Sequence, residues 1–257
     1  MDHVDVKTAR ALDGLRLVLT VGGPGPWSEA AKGFFRVKQL AFTPVAQHAG
    51  AEDPALRAWT GQTSAPVAAW NDEPPLSRMS DILLLAERLA PEPALLPADP
   101  RLRAWTLGMC REISGRNGLG WSKRLCMLDA QLARQREGPG REQTRRFCQK
   151  FGHDPAALPA ARERVIAILH WLADELAAQQ ARGSQFLIAD QLSAADVLWA
   201  SFAALFAPLP AELCPMSDGL RRLYTETDRA VLDALDPRLL AHRDRIYREH
   251  LGLPLDF

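Results

Sequence analysis

Apolar and polar positions follow two different regimes along this chain. From Leu15 to Val21 the run LRLVLTV is short, apolar and rich in β-formers, the pattern of a buried strand. Gly22-Gly23-Pro24-Gly25-Pro26 breaks it, and a helix is predicted from about Trp27, with Ala30, Ala31, Phe34, Phe35 and Val37 on its inner side. Phe42 to Gln47 predicts a second strand. Asp53-Pro54 predicts a helix start, with Asp as cap and Pro at the first helical position, and that helix ends near Gly61. Ala65 to Trp70 predicts a third strand, and a poor edge strand extends through Leu76. A helix from Ser80 to Leu89, with Ser80 as its cap, closes this part.

Prolines 91, 93, 97 and 100 then mark a linker. Beyond it the period is helical throughout. Residues 101–113 place Leu102, Trp105, Met109 and Ile113 on one face. Further helices are predicted over 121–136, 159–182, 193–206, 218–235 and 237–251, and 193–206 is apolar enough to be the central buried helix of a bundle. The six basic residues between Arg134 and Lys150 read as a solvated surface or loop. The expected plan is an α/β domain over 1–92 and an all-α helical-bundle domain over 93–257.

One phrase within that helical half narrows the reading. Ser184 to Phe202 spells SQFLIADQLSAADVLWASF, in which Ser193 is an N-cap candidate, Asp196 is placed to reach back to the Ser193 backbone N–H, and Leu192 and Val197 occupy the positions of a hydrophobic staple. An FLxxDxLSxAD phrase of this kind, downstream of a strand opening Ala65-Pro66-Val67 and a β-α-β-α-β-β-α order, resembles the glutathione S-transferases. The resemblance covers nearly the whole chain. It implies a thioredoxin-like first domain that binds glutathione as co-substrate, and it implies a homodimer.

The resemblance also assigns residues. A cis-proline is expected at Pro66, with Ala65 offering its backbone N–H and C=O to the tripeptide. The helix beginning near Gly25 and Trp27 is expected to point its N-terminus at the glutathione sulfur. Here the sequence departs from the family, which places a Tyr, Ser or Cys in this loop. The residue before Pro26-Trp27 is Gly25, no cysteine precedes Cys110, and the tyrosines, Tyr224 and Tyr247, stand far away in sequence. Ser28 is the nearest candidate catalytic hydroxyl in the helix, and Thr20 lies inside the strand. The acidic-Ser or Gln-Ser pair that holds the γ-glutamyl group in the family falls, counting back from Ile82, on Arg78-Met79, or on Met79-Ser80 with a small shift, and neither supplies the acidic residue. Ser80 at the helix N-terminus is still placed to bind a glutathione carboxylate, with Asp81 or Arg78 contributing charge. Trp105, Met109 and Cys110, with Trp27 opposite, are the candidates for a second-substrate pocket.

Composition sets limits on partners. The chain has 257 residues with 31 basic and 31 acidic side chains, so no net charge draws it to nucleic acid or to an anionic membrane. No run of about 18 apolar residues exists for a membrane helix. The N-terminal residues carry no apolar segment of the secretory kind, so a cytoplasmic location with reduced thiols is expected for the scattered cysteines. The six histidines show no metal-ligand spacing, and no metal is expected. Two functions remain: an enzyme joining glutathione to an apolar electrophile, or a non-catalytic binding or interaction module on the same scaffold.

Overall fold

In a computed structural model describing residues 1–257, the chain forms three strands and twelve α-helices. The first part runs α1 (Val6–Arg10), β1 (Leu15–Thr20), α2 (Pro26–Val37), β2 (Thr43–Gln47), α3 (Pro54–Thr60), β3 (Val67–Trp70) and α4 (Met79–Leu89). The sheet order is β2-β1-β3, with β1 parallel to β2 and antiparallel to β3. The expected edge strand shrinks to one bridge, in which Ala68 and Leu76 exchange both backbone hydrogen bonds at 2.8 Å. Pro74-Pro75 explains this, because neither residue has an N–H to extend the ladder.

Helix α1 is an addition to the predicted plan. It is one turn capped by Asp5, whose carboxylate accepts from Thr8 N at 2.7 Å. Val6 and Ala9 cover the outer sheet face together with Val18, Val45, Leu56 and Val67. Helix α4 starts at Met79, so Ser80 lies inside the first turn, exposed, and donates to its neighbour Asp81 at 3.1 Å instead of capping the helix.

After the proline-rich segment the chain is helical: α5 (Pro100–Ser114), α6 (Leu119–Arg134), α7 (Pro139–Phe151), α8 (Leu158–Ala181), α9 (Ala194–Phe202), α10 (Asp218–Tyr224), α11 (Arg229–Ala234) and α12 (Pro237–Ile246). Two departures matter for function. The segment read as a solvated loop contains helix α7, which has Pro139 at its start and the left-handed Gly152 at its end. The helix predicted over 218–235 is interrupted: the Glu226 carboxylate accepts from the N–H groups of Thr227 and Asp228 at 2.7 and 2.9 Å and pairs with the buried Lys123 at 2.6 Å. Asp228 then caps a new helix through Ala230 N at 3.0 Å.

Helix α9 is buried along its whole length, as its apolar sequence predicts. Its start is held by Asp196, which is fully buried. One carboxylate oxygen accepts from Ser193 N at 2.9 Å and from the Ser193 hydroxyl at 2.6 Å; the other accepts from Leu187 N at 2.8 Å and faces His242 Nε2 at 2.9 Å. The capping box read from sequence is therefore also the anchor for the preceding turn and for α12. One continuous apolar core joins α2 and α4 of the first part to α5, α8 and α9 of the second, so the cleft between the two parts has rigid walls.

Candidate functional site

Two pieces of the first part converge at one end of this cleft. Strand β1 delivers the loop Val21–Gly25, and Pro26 starts α2 at its first turn. Proline contributes no donor there, so the N–H groups of Trp27 and Ser28 are the first free donors of the helix, and neither bonds within the chain. Opposite them the Ala65–Pro66 peptide is cis. Both the N–H and the C=O of Ala65 are without a hydrogen bond in the chain. An unpaired backbone edge therefore faces a helix N-terminus across an open cavity of about 460 Å³, bordered by Gly25, Trp27, Ser28 and Ala65.

Three polar side chains shape this floor. The Ser28 hydroxyl, 3% exposed, accepts from Thr20 N at 3.3 Å. Thr20 Oγ1 donates to Gln47 Oε1 at 3.1 Å, and Gln47 Nε2 donates to the carbonyls of His48 and Thr63 at 2.8 and 3.1 Å. This chain ties the end of β1 to the loop that leads into Ala65 and keeps both sides of the floor in register.

The helical part builds the roof. Helix α6 contributes Arg124 and Met127; α7 contributes Gln143, Phe147, Lys150 and Phe151; α10 contributes Leu220, Leu223 and Tyr224. Trp27 bridges the two parts: its indole N–H donates to Ser114 O at 2.8 Å, and its ring meets Phe202 edge-on at 4.6 Å. Gly120 makes this approach possible, since a β-carbon there would lie 2.2 Å from Phe202 Cε1 and 3.1 Å from Trp27 Cη2. Lys150 Nζ reaches down to Thr63 Oγ1 at 3.3 Å and closes the rim.

The cavity has a one-sided charge. Its border holds Arg124 and Lys150 and no acidic residue. Burial lowers the Arg124 pKa to about 10, and Lys150 is lowered by burial and then by Arg124 and Arg57. Burial raises the Tyr224 phenol to about 12, against the pull of Arg124, so it stays a protonated donor at neutral pH.

The sequence-derived residues divide accordingly. Gly25, Trp27, Ser28 and Ala65 border the cavity; Pro66, joined to Ala65 by the cis peptide, is buried and does not border it. Arg78, Ser80 and Asp81 lie at the start of α4, outside it. Met109 is 1% exposed in the core, and Trp105 is 48% exposed and packs edge-on against Trp171 at 5.9 Å, so neither faces the cavity. Cys110 is likewise buried elsewhere, and no cysteine borders the cavity. Tyr224, distant in sequence, does border it. Sequence distance hid Tyr224 and Arg124, whereas the aromatic stripe Phe147–Phe151 beside Thr144 and Cys148 was a readable helical spacing masked by charge.

No protein-family model and no curated sequence matches the chain. Solved structures do. A glutathione S-transferase from Methylobacillus flagellatus, with GSH bound, aligns with a TM-score of 0.63 at 14% identity, covering 93% of this chain and 97% of that one. A rice enzyme, GST1 in complex with glutathione, aligns at 0.59 and 20% identity over 94% and 93%. A beta-etherase from Sphingobium aligns at 0.62 and 18% identity over 90% and 94%. The chain has the glutathione S-transferase fold: a thioredoxin-like first part with a helical second part. No helix is long and apolar enough to cross a membrane.

Proposed function

We propose that this protein binds glutathione beside Ala65 and directs its thiolate at an apolar electrophile held under α6, α7 and α10. The observation that carries the reading is the pairing of two unsatisfied features across one cavity, the free peptide edge of Ala65 and the free N–H groups at the tip of α2. A tripeptide backbone satisfies the first, and a sulfur anion suits the second. The helix tip stabilises an anion by about 0.3–1 kcal/mol, up to about 2 when partly buried, which lowers a thiol pKa by roughly one unit.

Donors beyond the backbone are Ser28 and Tyr224. Either hydroxyl, aimed at the sulfur, would add about 1.5–3 kcal/mol. In the reaction the thiol proton leaves to solvent, sulfur forms its bond to the electrophilic carbon, and the leaving group departs with its electron pair; no covalent bond to the enzyme is needed. A cytoplasmic homodimer that needs no metal is the setting this reading carries with it.

The glycine at position 25 and the remoteness of Arg78, Ser80 and Asp81 favour a second reading, a module that holds a ligand without turning it over. Retention on immobilised glutathione with turnover of an activated aryl halide supports the enzyme. Retention without turnover supports the module. Absence of both rejects glutathione as the ligand.

A further inference from the structure

The roof of the cavity contains a cation with nothing to neutralise it. The guanidinium carbon of Arg124 sits 3.9 Å from the centre of the Trp27 ring, 4.3 Å from that of Phe151 and 5.4 Å from that of Trp121. Together these contacts fix the group in place. The rings have no acceptor oxygen to offer its N–H edge. Arg124 forms no ion pair and no hydrogen bond with the rest of the chain, and no acidic residue borders the cavity. The three buried lysines of this protein are each paired with a carboxylate, Lys32 with Glu29, Lys38 with Glu87 and Lys123 with Glu226, and the buried Arg16 donates to the carbonyls of Leu12, Gly14 and Asn71. An arginine held by aromatic rings, with free planar N–H donors, suits a carboxylate, which it meets through two parallel hydrogen bonds.

Its position separates it from the tripeptide edge. Arg124 comes from α6 on the helical side and covers the Trp27 ring beyond the tip of α2, while Ala65 lies on the sheet side. Met127, Leu223 and Phe147 give the space beside it an apolar lining. We infer that the second ligand of this cavity is an aromatic or otherwise apolar carboxylate whose anionic end is received by Arg124, with Lys150 at the rim adding to the positive field. The inference rests on the reading that glutathione occupies the Ala65 side.

Calorimetric titration with a matched pair, 2-naphthoate and its neutral counterpart 2-naphthalenemethanol, tests this on the full-length protein with glutathione present at saturation. The carboxylate should bind about tenfold or more tightly than the alcohol, and raising salt should narrow the gap. In Arg124→Met the two affinities should come within about threefold, while glutathione affinity is kept; in Arg124→Lys part of the preference should remain. Equal affinities in the wild-type protein overturn the inference, and so does a preference that survives in a folded Arg124→Met. Competition between naphthoate and glutathione also overturns it, because Arg124 would then serve the tripeptide. Naphthoate preference without any glutathione binding keeps the carboxylate site and rejects the glutathione reading. The wild-type comparison decides the matter even if the Met variant fails to fold.

Discussion

The Ser28 hydroxyl accepts a hydrogen bond from the backbone N–H of Thr20 at 3.3 Å. That contact occupies an oxygen lone pair and leaves the hydroxyl proton free to be donated into the cavity. If this proton serves the sulfur, Ser28→Ala slows conjugation about tenfold to a hundredfold. Glutathione affinity and melting temperature, measured alongside, should move little, since the 3.3 Å bond is weak. A rate equal to that of the wild-type protein removes Ser28 from the mechanism.

Gly25 is not required by its backbone. Its φ of −58° and ψ of 119° are open to any residue, and an added β-carbon would meet Thr20 and Ser28 at 3.7 Å or more, ordinary contact distance. Gly25→Ser should therefore fold with stability within about 0.5 kcal/mol of wild type. It should also raise conjugation by returning a hydroxyl to the place where the resembling family has one. Steady-state rates with an activated aryl halide check this; no gain would mean that the sulfur lies elsewhere. Gly120→Ala is the contrasting control, because its methyl would collide with Phe202 at 2.2 Å and destabilise the protein by about 1–3 kcal/mol.

Asp196 joins three elements through one carboxylate, so its loss should be felt globally. Asp196→Ala leaves the N–H groups of Ser193 and Leu187 and the His242 ring without their acceptor. The expected cost is about 3–5 kcal/mol, read by urea unfolding. A loss below about 1 kcal/mol would show that the network is dispensable.

Asp228 gives a pH-dependent case. Arg162, then the Ala230 N–H at the helix start, hold its carboxyl at about 2, below the ordinary 3.8. A depressed folded-state value means stabilisation that is present above about pH 4 and lost as pH falls toward 2. Asp228→Asn keeps the cap and removes the charge. It should cost less than about 1 kcal/mol at neutral pH, because the two side chains are 44% and 34% exposed, and the difference should shrink as pH falls below about 4 and vanish only below about pH 2. A constant difference from pH 7 to 2 would contradict the assignment.

Much of the fold was legible in the sequence because its signals are local. Strand β1 is a continuous apolar run, α3 has Asp53-Pro54 at its start, and Ser193 and Asp196 spell the start of α9. What escaped was set by long-range contact. Helix α7 is polar on most of its surface and gains its place by laying Phe147 and Phe151 over the cleft; Trp121 meets Phe151 edge-on at 5.8 Å. The break before Asp228 depends on Glu226 finding Lys123 on another helix. At the site, the sheet-side residues followed from their neighbours in sequence. Arg124 and Tyr224 could not, because only packing of α6 and α10 against the tip of α2 brings them there.

Gly50, with its left-handed φ of +80°, lies directly beneath α7. A β-carbon at that point would stand 1.8 Å from the Gln143 side-chain nitrogen and 3.0 Å from Phe147 Cζ. The bare peptide thus works as the thinnest possible spacer between the two halves at the mouth of the cleft. Any side chain at this position would be strained by the backbone and would have to turn the Gln143 amide aside and displace the Phe147 ring, so how closely α7 settles over this border of the cavity is set by a side chain that does not exist.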